Sequence, residues 1–398
     1  MTPPSFPDTP SPDLRACWIG NHRYSQPLNA TDAKKWALFE GLGEARFVVA
    51  FAEGMLPRRF DQHARFYLLP ALPVSLLRYA TMFTLGTLLL LALVLMRGVR
   101  VIVAQSPFEG AMGAAVKVTA RLFGLRVALV VESHGDFEVG VLEHRRVSLP
   151  GLYRMLMRAA ARFGLRHADL LRPVSSSARA QLERYAPHTP QMQFMAWTDA
   201  DAFIRASRTQ PPSACADLVY AGTLIPRKGV HILLDAFARI AAEQPAAQVW
   251  LVGKDENVEY AAALRQQTQQ LRLTERVHFV GMVSQSELAG YMARGRGLVL
   301  DSLSEGLPRV VIEAMLNGLP VIASRVSGTP DVITDGDTGY LIPPDDVEAL
   351  VKALRALYAN PDLDGMAQRA QTFARAFFST DSYRTHTARM LAAAASLR

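Results

Sequence analysis

From Leu14 onward, short runs of aliphatic and β-branched residues alternate with longer stretches whose apolar positions recur at helical spacing. The short runs predict strands at Leu14–Ile19, Arg46–Phe51, Val99–Ala104, Val127–Glu132 and Leu170–Val174. The longer stretches predict helices over Asp32–Leu42, Met112–Phe123 and Leu152–Phe163. After residue 216 the alternation resumes, with strands at Asp217–Ala221, Gln248–Val252, Val277–Val280, Gly297–Leu300 and Pro320–Ala323. Helices follow each of these, over Val230–Glu243, Ala261–Leu271, Ser286–Met292, Arg309–Asn317 and Asp346–Tyr358. Strand–helix alternation with nearly continuous apolar strands predicts an α/β chain of parallel sheets covered by helices. Two such sets predict two domains.

The pattern breaks at RASRTQPPSACA, which places a linker at residues 205–216 between a first domain at 14–204 and a second at 217–379. A last helical stretch over Thr380–Leu397, within residues 380–398, is expected to pack back on the first domain. The opening MTPPSFPDTPSPD, residues 1–13, is proline-rich without a basic stretch before an apolar core, and predicts a disordered leader, not a signal peptide. Ala80–Met96 has no charged residue, and Arg58, Arg59, Arg65 and Arg78 precede it. Gly86, three threonines and a strand close behind it favour a buried helix; a helix resting in a membrane surface and a membrane span remain open.

Composition narrows the class. The chain has 398 residues, half of them hydrophobic, enough for two cores without disulfide staples. Its two cysteines, Cys17 and Cys215, make neither a metal cluster nor a redox pair by spacing, and suit a reducing, cytoplasmic setting. The net charge of +7 is uneven: residues 1–199 hold 23 basic and 15 acidic side chains, and residues 200–398 hold 20 and 21. The basic half asks for an anionic partner. A nucleic acid is not expected, because no helix-turn-helix, zinc or aromatic-platform signature accompanies the charge.

Three stretches can carry chemistry. In LVLDSLSEGLPRVVIEAMLNG a strand ends at Leu300, a loop follows, and a helix opens near Pro308 and stops at Gly318. Such a loop and helix start turn free N–H groups toward the carboxyl edge of a parallel sheet, where phosphates bind. Glu305 and Glu313, eight residues apart, can reach different hydroxyls of one extended ligand. In VYAGTLIPRKG, Arg227 and Lys228 lie between Gly222 and Gly229, and two cations there can neutralise a diphosphate leaving group. In ALVVESHGDFE a strand ends at His134, followed by Asp136; a histidine so placed can bond a sugar or accept a proton.

SEGLPRVVIEAM, then GLPVIAS, then GTPDVITDGDTGYLIPP resembles the donor-binding signature of glycosyltransferase family 4, retaining, nucleotide-sugar-dependent enzymes of the GT-B fold. That resemblance implies two Rossmann-like parallel-sheet domains facing each other across a cleft. It implies that Glu305 contacts the donor sugar and Glu313 the ribose, and that the backbone from Gly306 through Leu307 and Pro308 to Arg309 holds the sugar and phosphate end. Arg227 and Lys228 become the phosphate clamp beside Gly222, although Thr223 stands where an arginine is common. Backbone near Val280–Met282 (Val280 and Met282 included) would read the base, and His134 would position the sugar. The implied activity is metal-independent transfer of a sugar from a nucleotide sugar (UDP-, GDP- or similar), a co-substrate with no further cofactor, to a glycan or lipid-linked acceptor. An anionic membrane surface is a further possible partner, which would put the protein on the inner face of the membrane. Rival expectations are a sugar-nucleotide epimerase of the same fold and a non-catalytic sugar- or membrane-binding subunit. Asp199-Ala200-Asp201 has the form of a metal-binding D-x-D triplet, but its position favours a connecting segment. Ser175 and Gly20 complete the weaker matches.

Overall fold

The structure is a computed structural model that describes residues 9–138, 150–206 and 208–397. Most of the expected leader, residues 1–8, lies outside the described residues. The chain forms two compact units, residues 1–197 with 380–398, and residues 198–379.

The first unit is built on β1 (Arg15–Tyr24), β2 (Ala45–Ala52), β3 (Arg58–Gln62), β4 (Ala64–Leu69), β5 (Val101–Ala104), β6 (Ala128–Ser133) and β7 (Leu170–Pro173). These form one sheet in the order β3-β4-β2-β1-β5-β6-β7. All neighbours are parallel except β3 and β4, which pair antiparallel about His63, a residue at φ 58°. The hairpin escaped the pattern because RRFDQHARFYLL carries charges on its outer strand, which an edge strand tolerates and a central one does not. β1 also runs past Gly20, with a shift of register before Arg23, so that glycine does not end the strand.

Apolar residues cover both faces of this sheet. On one face Trp18, Trp36, Phe39 and Phe66 pack with Met390, Leu391 and Ala394 of the final helix, Thr380–Ser396. On the other, helix Pro107–Leu122 lies against helices Thr87–Arg97 and Pro150–His167. Gly164 presses on that central helix so closely that a Cβ there would stand 2.6 Å from the Gly110 carbonyl carbon. Helix Ser176–Tyr185, not foreseen from the pattern, is mostly polar and buries Ala178, Gln181 and Leu182.

The apolar segment Ala80–Met96 is neither wholly buried nor wholly exposed. It lies in a helical run comprising Ser75–Thr81, a wide π-type turn at Met82–Gly86, and Thr87–Arg97. Met82, Leu90, Leu93 and Val94 enter the core, whereas Leu85, Leu88 and Met96 face solvent.

The second unit has a parallel sheet in the order β10-β9-β8-β11-β12-β13. Its strands are β8 (Leu218–Ala221), β9 (Val249–Val252), β10 (Val277–Gly281), β11 (Gly297–Leu300), β12 (Val321–Ser324) and β13 (Tyr340–Ile342). Helix Leu363–Phe377 was missed because its buried stripe is largely alanine, with Ala367, Ala370 and Ala374 giving little hydrophobic contrast.

The expected linker at 205–216 is a correction: the division falls earlier, at Thr198. Helix Asp201–Arg205 buries Phe203 and takes a hydrogen bond from Asn317 Nδ2 at 3.3 Å on the Phe203 carbonyl. The proline pair is strapped down, not loose. Ser213 donates through N and Oγ to Asp364 (2.9 and 2.5 Å), and Arg296 donates to the Ser213 and Cys215 carbonyls (2.8 and 3.1 Å). Proline rigidity, read as a break, here serves a turn whose carbonyls an arginine collects.

Because Leu391 is fully buried among the first unit's residues, Leu391→Ala is expected to cost about 3 kcal/mol of that unit's stability. Urea unfolding followed by tryptophan fluorescence should show the first unit's transition moving while the second unit's stays.

Candidate functional site

In the second unit the carboxyl ends of β8 and β11 bring two loops together. After β8 the chain makes a turn of 3-10 helix at Pro226–Lys228 and passes through Gly229 at φ 65°. A Cβ on Gly229 would stand 1.8 Å from the Asp301 carbonyl oxygen, so only glycine permits this approach. The two loops are also bonded along their length. Leu303 N–H donates to the Arg227 carbonyl (2.8 Å), and Arg227 Nη1 donates to the Ser304 carbonyl (2.5 Å). Lys228 Nζ then reaches Glu305 Oε1 at 2.5 Å, and Ser302 Oγ donates to the same oxygen at 2.6 Å. Both charged side chains are largely buried, with 14% of Lys228 and 8% of Glu305 exposed.

The loop that carries Glu305 leads into helix Arg309–Leu316, with Pro308 as the residue that flanks its first turn. At its other end Gly318, at φ 72°, lets the Leu319 N–H reach the Ala314 carbonyl (2.9 Å). Gly306 accepts a hydrogen bond from Gly328 N–H (3.0 Å), which pins the loop from behind. Among the described residues, the N–H groups of Gly306 and Leu307 have no internal acceptor. A cation and unused amides thus lie beside a helix start, which is the chemistry that receives a phosphate. Gly222 lies next to this cation, since a Cβ there would come within 3.9 Å of Lys228 Cε.

Glu313 is buried in the helix, where burial pushes its carboxyl up and the Arg309 guanidinium, 3.8 Å away, opposes the shift. Val280 lies in the edge strand β10, which ends at Gly281, and the Met282 side chain that follows is 79% exposed.

Asp301 was not singled out in the sequence. It is buried at the end of β11 and accepts from Ser324 Oγ at the end of β12, while its Oδ2 has no partner among the described residues. Burial, with the nearby charges of Asp345 and Asp346, raises its pKa to about 6.

In the first unit His134 follows β6 and is about half exposed, with Nε2 3.1 Å from Glu132 Oε2. Glu132 and Arg172 face each other across β6 and β7, and Arg172 Nη1 approaches Glu132 Oε1 at 3.3 Å. Arg172 is wholly buried, donates to the Met195 carbonyl (2.7 Å), and stacks on Phe194 at 4.1 Å. Burial alone would push the Glu132 carboxyl up, but Arg172, then His134 and Lys35, outweigh it and hold it at about 2. His134 therefore rests on a fixed carboxylate. The signal was one glutamate and one arginine, each in an otherwise apolar strand.

Other expected residues have structural work. Ser175 caps helix Ser176–Tyr185, taking the Ala178 N–H at 3.2 Å. Asp136 accepts from Gln181 Nε2 (2.8 Å) and the Glu138 N–H (2.9 Å). Of the D-x-D triplet, Asp201 pairs with Arg205 at 3.0 Å and Asp199 is buried. Cys17 is buried, and its thiol is pushed up by burial.

Residues 215–360, which hold the whole two-loop assembly, match the family described as Glycosyl transferases group 1. That segment is where the chain is similar to the group 1 glycosyltransferases. It is 34% identical over 192 residues to a D-inositol 3-phosphate glycosyltransferase of Streptomyces coelicolor, covering 44% of this chain and 40% of that one. It is 28% identical over 219 residues to a glycogen synthase of Mycobacterium tuberculosis, covering 54% and 51%. The matches thus span about half the length of these curated relatives. Among solved structures, HepE of Anabaena in complex with UDP-glucose superposes with a TM-score of 0.67 at 20% identity, over 95% of this chain and 99% of that one. The likeness establishes for this chain the GT-B architecture of two Rossmann-like units.

Two outcomes follow from these buried charges. The folded Asp301 binds its proton more tightly than the unfolded chain does, so stability falls as pH rises from about 3.8 to about 6 and stays lowered above that. Asp301→Asn keeps the acceptor for Ser324, and is expected to raise the thermal midpoint at neutral pH by the equivalent of up to ~3 kcal/mol, with the gain vanishing in acid. Glu132→Gln leaves Arg172 buried without its counter-charge and is expected to cost on the order of 3 kcal/mol. Adding Arg172→Met should recover most of that loss in the same denaturation assay.

Proposed function

We propose that this chain transfers a glycosyl group from a nucleotide sugar to an acceptor, with retention of anomeric configuration and without a bound metal. The observation that carries this is the Lys228–Glu305 contact at 2.5 Å beside the unused amides of Gly306 and Leu307. A diphosphate entering there meets a cation already desolvated by the fold and amides already aimed at it. As the sugar–phosphate bond breaks, charge builds on the leaving phosphate, and Lys228, Arg227 and the helix start stabilise it without moving. Glu305 exchanges its lysine for sugar hydroxyls, and Glu313 receives the ribose. The backbone at Val280–Met282 reads the base, and His134, steadied by Glu132, orients the transferred sugar. Two similar proteins support the donor class: HepE was solved with UDP-glucose, and a relative in Mycolicibacterium smegmatis is called a GDP-mannose-dependent mannosyltransferase. The acceptor is a glycan or lipid-linked glycan presented at the inner face of a membrane, in keeping with the basic first half of the sequence.

A panel of UDP- and GDP-sugars tests the donor. The true donor at about 100 times its Kd should add about 2.7 kcal/mol to stability, seen as a thermal shift. Lys228→Ala and Glu305→Gln should each lower nucleotide diphosphate release by roughly 10²–10³-fold. Chelator should leave the rate unchanged. Turnover within a few-fold of the parent in both variants would defeat the site assignment, and conversion of the sugar without any acceptor would point to an epimerase.

A further inference from the structure

The first unit also has a charged surface made by residues given no role above. Helix Pro150–His167 carries Arg154, Arg158, Arg162 and Arg166 at intervals of four, and all four are exposed. At 1.5 Å per residue the ladder is about 18 Å long. Arg158 makes an ion pair with Glu138 at 3.4 Å, yet remains 56% exposed. The helix has no acidic residue, and residues 75–126, which include the two neighbouring helices, have one, the buried Glu109.

The same outer surface is unusually apolar. Beside the arginines, Met155, Leu156 and Phe163 are 59%, 56% and 40% exposed. Helix Pro107–Leu122 lies between this helix and Thr87–Arg97, and the exposed side chains on the far helix include Leu88 at 63% and Met96 at 81%. The most apolar window of the 21-residue helical stretch Leu77–Arg97 has a mean hydropathy of 2.1, but only 28% of it is buried. Its hydroxyls are silenced: Thr81, Thr84 and Thr87 each donate to the carbonyl four residues earlier, at 2.8, 2.7 and 2.7 Å. A threonine bonded in this way presents only its methyl group to the surroundings.

We propose that the solvent side of this three-helix layer docks on an anionic lipid bilayer. The arginine ladder meets the lipid phosphates, while Leu88, Met96 and Phe163 enter the boundary between headgroups and acyl chains. Charge complementarity selects an anionic partner, and the interleaved apolar side chains select a bilayer over a soluble polyanion, which would leave them in water. The close helix packing at Gly110 and Gly164 makes the layer a rigid face, ready before contact. Because the proposal rests on the reading that the acceptor is held at a membrane, its test uses the full chain and is scored apart from catalysis.

The probe is co-flotation with phosphatidylcholine–phosphatidylglycerol vesicles, against pure phosphatidylcholine vesicles and a labelled single-stranded oligonucleotide. The parent protein should float with the anionic vesicles only. Replacing the four arginines by glutamine should weaken binding roughly five-fold per arginine removed. Leu88→Ser with Met96→Ser should remove the binding that survives high salt, the part that screening does not reach. The nucleotide-induced thermal shift of each variant should match the parent's, which shows that it is folded. Equal flotation of parent and four-arginine variant overturns the proposal, as does capture by the oligonucleotide with no flotation. Transfer to a water-soluble acceptor separates the two readings: transfer without flotation leaves the transferase and removes the docking face, and flotation without transfer does the reverse.

Discussion

The candidate site depends on one close approach of backbone to backbone. Gly229 lies so near the Asp301 carbonyl that no side chain fits between them, and the loops after β8 and β11 are thereby held at a fixed separation. Lys228 sits one residue before that contact and Glu305 four residues after it. Their meeting at 2.5 Å is therefore a property of the framework more than of two flexible side chains. Ser302 and the Ser304 carbonyl, bonded to Glu305 and Arg227 respectively, remove most of the remaining freedom. A site assembled in this way spends little on ordering when ligand arrives, and the desolvated lysine acts at a lower effective dielectric than it would in water.

Much of this was legible because it is local. The strand, loop and helix around Glu305 lie within about twenty consecutive residues, and the lysine–glycine turn within eleven, so residue types at fixed spacing carry the geometry. Glu132 and Arg172 were not legible as a pair. They are forty positions apart, and only the parallel register of β6 with β7 sets one opposite the other. Asp301 was hidden for a related reason: its partner Ser324 ends the neighbouring strand, and its altered proton affinity comes from burial, which spacing does not report.

The same contrast holds for the fold. Central strands were readable from unbroken apolar runs, whereas β3 was hidden by arginines that an edge strand tolerates, and β13 by its length of three residues. The proline pair at 211–212 misled for a physical reason. A proline that ends one element is indistinguishable in sequence from one held in a turn, and only the hydrogen bonds that Arg296 donates and Asp364 accepts tell them apart.

The final helix gives the two units different histories during synthesis. Residues 198–379 are contiguous, so the second unit has its whole core as soon as that stretch has left the ribosome. The first unit, although begun earlier, lacks Met390, Leu391 and Ala394 until residues 380–398 emerge, and until then Trp36 and Phe39 have an open side. The unit translated first is the one completed last, and it is exposed to chaperones, proteases and wrong partners throughout the synthesis of the other.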